Sequence, residues 1–170
     1  MPKPSPANYP SYFQRYISLV PEEDLQTAFK NQLPIISGFL QSITEEKSNH
    51  TYAPGKWTIK ELLQHMTDTE RIFAYRSLCF ARKEQASLPG FDENEYAANS
   101  NANIRSWKDL TDEFLLVRKT TEILFSSFTE AALLNSGTAN NNPATAASMG
   151  FTAIGHVYHH KKILEERYLL

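Results

Sequence analysis

Four stretches of this chain repeat apolar residues at the period of an α-helix, and no stretch alternates convincingly at the two-residue period of a strand. That restricts it to helix-on-helix packing. The first stretch, at about residues 21 to 45, sets Leu25, Phe29, Leu33, Ile36 and Leu40 at helical spacing. Pro21 suits a first helical position, Glu22, Glu23 and Asp24 favour the positive end of the helix dipole, and Pro34 predicts a kink. The second, at about 58 to 83, opens on a capping box of Thr58 and Glu61, with Trp57 and Leu62 as its hydrophobic staple. Its stripe is Leu62, Met66, Thr69, Phe73, Ser77 and Phe80. The third, at about 107 to 129, starts from Ser106 and Asp109 and carries Leu110, Phe114, Val117, Thr121, Leu124 and Phe128. The fourth begins between Thr145 and Ser148 and runs to about Tyr168, with Met149, Ala153, His156, His160, Ile163, Leu164 and Arg167 on one stripe. Four helices without a strand predict an all-α four-helix bundle, and the long connection between helices two and three allows a topology other than simple up-and-down.

At 170 residues the chain is long enough to bury one core. The expected organisation is a Pro-rich arm over residues 1–20 and a single bundle domain over 21–170. Met1 to Pro10 carries four prolines, which predicts an extended arm, able to pack on the body through Tyr9, Tyr12 and Phe13. Residues 84–105 and 130–147 read as long loops, the first with a helical turn at Glu93 to Ala98 and the second turn-rich from Asn135 to Pro143. Loops of this length are often functional. Seventeen basic and nineteen acidic side chains give a formal charge of −2, so no strong field draws in nucleic acid or an anionic membrane. No apolar run approaches the roughly 20 residues of a membrane span and no signal-peptide core is present, so a soluble, cytoplasmic protein is expected. Cys79, the single cysteine, agrees with a reducing compartment and reads as a buried, inert thiol.

Two histidines on the fourth helix point to chemistry. His156 and His160 are one turn apart, so their side chains project from one face and can grip one ion together. Both fall on the core-facing stripe, where two imidazoles need a shared partner. His65, on the second helix, lies about 60° to one side of its stripe, beside Glu61, Asp68 and Ile72. If the two helices lie side by side, three imidazoles converge and leave one coordination position open. Asp68 and Glu61, each about one turn from His65, are the carboxylates placed to orient an imidazole or move a proton. Each reads equally well as a solvated charge on a helix flank. Asp68 or Glu70 could instead supply a fourth ligand. His159 sits about 90° from the middle of its stripe, at the helix edge. His50 carries no chemical argument, and Tyr75, Arg76, Tyr158 and Arg167 read as packing or surface residues within reach of a pocket.

Three motifs carry a family resemblance: Gly55-Lys56-Trp57-Thr58-Ile59-Lys60-Glu61-Leu62-Leu63-Gln64-His65, Leu88-Pro89-Gly90-Phe91-Asp92, and Gly155-His156 to His160 with Arg167-Tyr168. Across about residues 20 to 168 the chain resembles the DinB/YfiT-like superfamily of metal-binding four-helix bundles, in its DinB_2 branch. The resemblance implies a divalent ion, zinc or nickel, held by His65, His156 and His160, and a homodimer. It also implies a range of activities: S-transfer with a low-molecular-weight thiol such as bacillithiol or mycothiol, mycothiol-dependent isomerisation, or hydrolysis. The leading expectation is a metal-dependent thiol S-transferase acting on a small molecule; the alternatives are a hydrolase that activates water and a non-catalytic, stress-related bundle whose ion is structural.

Overall fold

The chain starts its long helices where a side chain can satisfy the first free backbone N–H groups. The computed structural model describes residues 1–169, and Leu170 lies outside them. In chain order the helices are α1 (Gln14–Ile17), α2 (Leu25–Gln41), α3 (Glu45–Ser48), α4 (Ile59–Ala81), α5 (Glu93–Asn99), α6 (Trp107–Ser126), α7 (Glu130–Leu134) and α8 (Ala146–Ile163). A π-helical turn, Leu164–Tyr168, prolongs α8. The Thr58–Glu61 capping box forms: Glu61 N–H donates to Thr58 Oγ1 at 3.1 Å and Thr58 N–H to Glu61 Oε2 at 2.7 Å. Ser106 caps α6, and Thr145 with Ser148 makes a second capping box at α8.

The first long helix starts later than its composition predicts. Asp24 has an extended backbone and accepts from Thr27 N–H at 3.0 Å, so Pro21, Glu22 and Glu23 precede the helix instead of forming its first turn. It stops at Gln41, and α3 follows as a separate piece under its own cap, Thr44.

α2, α4, α6 and α8 are the four members of the bundle, with α4 against both α6 and α8, and α2 against the same two. Two apolar clusters fill it, one around Phe29, Phe125, Phe151 and Ile154, the other around Ile36, Leu63, Met66, Phe114 and Val157. Along α8 the first cluster gives way to the second between Ile154 and Val157, at His156. The predicted stripe of α4 is buried throughout, whereas on α6 Val117 and Leu124 are only half-buried and Arg118 and Phe125 take the interior places. An arginine is tolerated there because Arg118 Nη1 donates to both oxygens of Glu70, at 2.8 and 2.9 Å.

The amino-terminal residues wind more tightly than an extended arm. Pro6–Asn8 and Ser11–Phe13 are 3₁₀ turns leading into α1, which lies on α8. A single turn needs few hydrogen bonds, so prolines that forbid a long helix still permit it. Tyr9 and Phe13 are buried, while Tyr12 is exposed.

The second predicted loop is also structured. After α7, strands β1 (Ser136–Ala139) and β2 (Asn142–Thr145) form an antiparallel hairpin. Its two-residue turn places Asn140 and Asn141 at φ of 49° and 59°, a left-handed conformation that asparagine tolerates. The hairpin holds the segment after α4: Leu88 N–H donates to the Thr138 carbonyl and Asn140 N–H to the Leu88 carbonyl, each at 2.9 Å. Among the described residues no helix is long and apolar enough to cross a membrane.

Candidate metal centre

Helices α4 and α8 bring the rings of His65, His156 and His160 to one point. Nε2 of His156 is 3.2 Å from Nε2 of His65 and 2.9 Å from Nε2 of His160. All three ligand atoms lie within 4.8 Å of one another. Two nitrogens on one tetrahedral zinc, each about 2.0–2.1 Å from it, stand about 3.3 Å apart. The trio is therefore at close to ligand spacing. Hydrogen bonding alone does not explain it, because an imidazole nitrogen offers one proton or one lone pair and His156 Nε2 faces two other nitrogens. A cation satisfies all three at once.

Burial keeps the rings neutral, as ligands must be. The histidines are 8, 5 and 9 % exposed in chain order. Burial pushes His65 down to about 4 and holds His156 and His160 well below the ordinary imidazole value, with charge on His65, His159 and Arg15 adding to the effect at those two. Aromatic neighbours fix the rings: Trp57 lies 5.0 Å from His65, and Tyr16 lies 5.5 Å from His156. Among the described residues His160 Nδ1 is buried without a hydrogen-bond partner, so contact rather than a bond orients that ring. Tyr16 reaches the site because of Gly155. A Cβ there would lie 2.1 Å from the Tyr16 carbonyl oxygen, so only glycine lets α1 lie this close to α8.

This is a three-histidine site in a four-helix bundle, and comparison with known proteins places it in a family. A family model described as the DinB superfamily matches residues 28–164. The chain belongs to the DinB superfamily. A protein of Oceanobacillus iheyensis, provisionally named a metal-dependent hydrolase, is 26% identical over 65 residues, which is 38% of this chain and 38% of that protein. YfiT from Bacillus subtilis, described as a probable metal-dependent hydrolase with an unusual four-helix bundle topology, superposes with a TM-score of 0.72. The alignment covers 96% of this chain and 90% of YfiT at 14% identity. A mycothiol-dependent maleylpyruvate isomerase superposes with a TM-score of 0.65 over 88% of this chain and 59% of the isomerase, at 13% identity. Identities this low speak for a shared fold.

Of the other residues singled out from the sequence of this DinB-superfamily chain, the carboxylates do not meet the three rings. Glu61 is occupied at the helix cap, accepting from Thr58 N–H and from Asn103 Nδ2 at 3.0 Å. Asp68 accepts from Gln64 Nε2 at 2.9 Å and faces Arg71 at 3.6 Å. Both oxygens of Glu70 are taken by Arg118. Tyr75 and Arg167 are exposed, the latter 5.7 Å from the Tyr52 ring centre, and Cys79 and Tyr158 are half-buried. His50 is exposed. His159 stands beside the triad, its ring 5.3 Å from Tyr16.

A cavity of about 300 Å³ opens onto the triad, walled by the amino-terminal segment, α4, α8 and the 90–91 loop. Arg15 and Tyr16 belong to that wall, and periodicity gave no sign of them. Their signal was Gly155 beside His156, a small residue marking where another backbone approaches.

Proposed function

We propose that this protein holds one divalent metal ion through Nε2 of His65, His156 and His160 and acts as a metal-dependent S-transferase using a low-molecular-weight thiol. The observation carrying the reading is three neutral imidazole nitrogens at ligand spacing, at the edge of a cavity, with no fourth protein ligand nearby among the described residues. Such a site is open, whereas a structural site is closed by four protein ligands. When bound, the ion supplies Lewis acidity, lowering the pKa of a thiol or water that enters its free position.

The choice of thiol over water rests on what the chain does not bring to the site. Glu61, Asp68 and Glu70 are each engaged elsewhere, and the carboxylate that lines the cavity, Glu93, is exposed. Among the described residues no carboxylate stands beside the rings to take a proton from water, and the remaining imidazole on the cavity wall, His159, is half-buried against Tyr16. A thiol, whose unperturbed pKa is about 8.5, needs much less help than water. The chain's own part is to keep the three rings neutral and aligned, and to shelter the nucleophile and its acceptor in the cavity. Hydrolysis is the second reading, favoured by the descriptions of the Oceanobacillus and Bacillus proteins.

Metal analysis of protein purified without a histidine tag should return one equivalent, falling below a tenth in His65→Ala and His156→Ala. Cobalt-substituted protein titrated with cysteine, glutathione and bacillithiol should then show a new sulfur-to-metal absorption band. Unchanged spectra with all three thiols would overturn the transferase reading, and turnover of simple esters by the same sample would replace it with hydrolysis.

A further inference from the structure

The far end of the cavity holds a buried positive charge with no negative partner among the described residues. Arg76 is 7 % exposed, yet among the described residues no carboxylate lies within ion-pair distance of it. Its one hydrogen bond among the described residues is from Nη2 to the Pro89 carbonyl at 2.8 Å, which leaves the rest of the guanidinium facing the cavity it lines. The other buried arginine, Arg118, has a carboxylate on two bonds. Burying an uncompensated charge costs several kcal/mol. Evolution rarely keeps such a group without something to meet it.

Position matches this need. His65, Thr69, Phe73 and Arg76 line the cavity from successive turns of α4, so the cavity runs along that helix from the triad to the guanidinium. Eleven residues of helix rise about 16 Å between the two ends, before side-chain reach shortens the gap. The segment Leu88-Pro89-Gly90 closes over Arg76, and Gly90 lets it lie against the hairpin turn, since a Cβ would stand 2.6 Å from Asn140 Oδ1. The other formal charges on the cavity are Arg15 and Glu93, both exposed at its rim, with Arg15 Nη2 donating to Tyr16 Oη at 2.6 Å. Two guanidiniums against one solvated carboxylate leave the interior positive.

We propose that the substrate of this site carries a carboxylate, received by Arg76 at one end of the cavity while the reacting group lies at the three imidazoles. This rests on the metal-dependent reading above and names the class of molecule it acts on. A guanidinium presents paired donors that match a carboxylate, and with Pro89 holding one nitrogen the fork is already oriented. Arg76 is thus a binding and positioning residue.

Calorimetric titration of the cobalt-loaded full chain with ω-mercaptoalkanoates of two to six carbons, each beside the mercapto alcohol of the same length, tests it. At the best-fitting length the acid should bind roughly tenfold more tightly than the alcohol. Arg76→Gln should bring the two within about twofold, with melting temperature and metal content kept, and Arg76→Lys should retain part of the preference. The metal-free protein, titrated with succinate, glutarate and adipate, supplies an arm independent of any thiol: one should bind, and Arg76→Gln should weaken it at least fivefold. Equal affinity for acids and alcohols at every length, or a preference that survives Arg76→Gln, would overturn the assignment and leave Arg76 as a prop for the 88–90 segment. A carboxylate preference without any cobalt–sulfur band would retire the thiol reading and keep the anionic substrate.

Discussion

Gly155 decides, by the absence of one carbon, whether the amino-terminal segment can reach the histidines. Its missing Cβ leaves room for the Tyr16 carbonyl, and the Tyr16 ring then lies against both His156 and His159. Gly155→Ala should therefore cost about 2–3 kcal/mol, the upper part of the range for overpacking, because the group it meets is backbone. Urea unfolding measures that cost; a loss under 0.5 kcal/mol would mean that α1 does not lie where described. Tyr168 makes a second point about single groups. Its hydroxyl donates to the Trp57 carbonyl at 2.9 Å, and burial pushes its pKa up to about 12. A tyrosine whose folded pKa exceeds its unfolded value of about 10 contributes stability below that value and loses it as pH rises towards about 12. Stability should accordingly drop by on the order of 2 kcal/mol between pH 10 and 12, and Tyr168→Phe should flatten part of that drop in alkaline melts.

At the level of the helices, the buried pair Arg118 and Glu70 ties the bundle together. Arg118 on α6 binds Glu70 on α4 and the side-chain oxygen of Gln32 on α2, while Gln32 Nε2 donates to the Ile154 carbonyl on α8 at 2.8 Å. One network thus touches all four long helices, two residues before His156. Glu70→Ala leaves an uncompensated charge in the core and should cost about 3–5 kcal/mol. The pair of changes Glu70→Leu and Arg118→Met should recover most of that loss in denaturant unfolding, since apolar groups of similar size satisfy the same volume. A double variant as unstable as Glu70→Ala would show that the cost lies in shape instead of charge. The hairpin plays the matching part on the open side, holding the 88–90 segment through two backbone hydrogen bonds.

For the molecule as a whole, a site assembled from α4 and α8 exists only in the folded chain, so an ion bound there stabilises the fold. At a free concentration one hundred times its dissociation constant, the ion should add about 2.7 kcal/mol. In a chain of this size that raises the melting temperature by roughly 5–10 °C, and a chelator should reverse it in differential scanning calorimetry. His65→Ala should melt at the same temperature with and without the chelator.

Much of this architecture was legible in the residues taken alone. Periodicity and caps locate α4, α6 and α8, because a capping box and an apolar stripe are local interactions between residues three or four apart. The same locality makes His156 and His160 a pair on one face. What lies beyond local reach had to come from the fold. Convergence of His65 with that pair spans 91 positions and depends on how α4 lies on α8. The burial of Arg118 in place of Val117 depends on Glu70 from another helix, and the hairpin at 136–145 depends on two asparagines adopting positive φ beside the segment after α4. Glu61 and Asp68 had the right spacing from His65 but found partners elsewhere, since helical spacing sets which side a group faces and neighbouring elements set what it meets. The sequence by itself determined most of the helices and the pairing of His156 with His160, through contacts that close within one turn; the approach of His65 to that pair, the cavity and an Arg76 without a carboxylate among the described residues were decided only when distant segments packed, because burial and charge pairing are properties of the assembled interior.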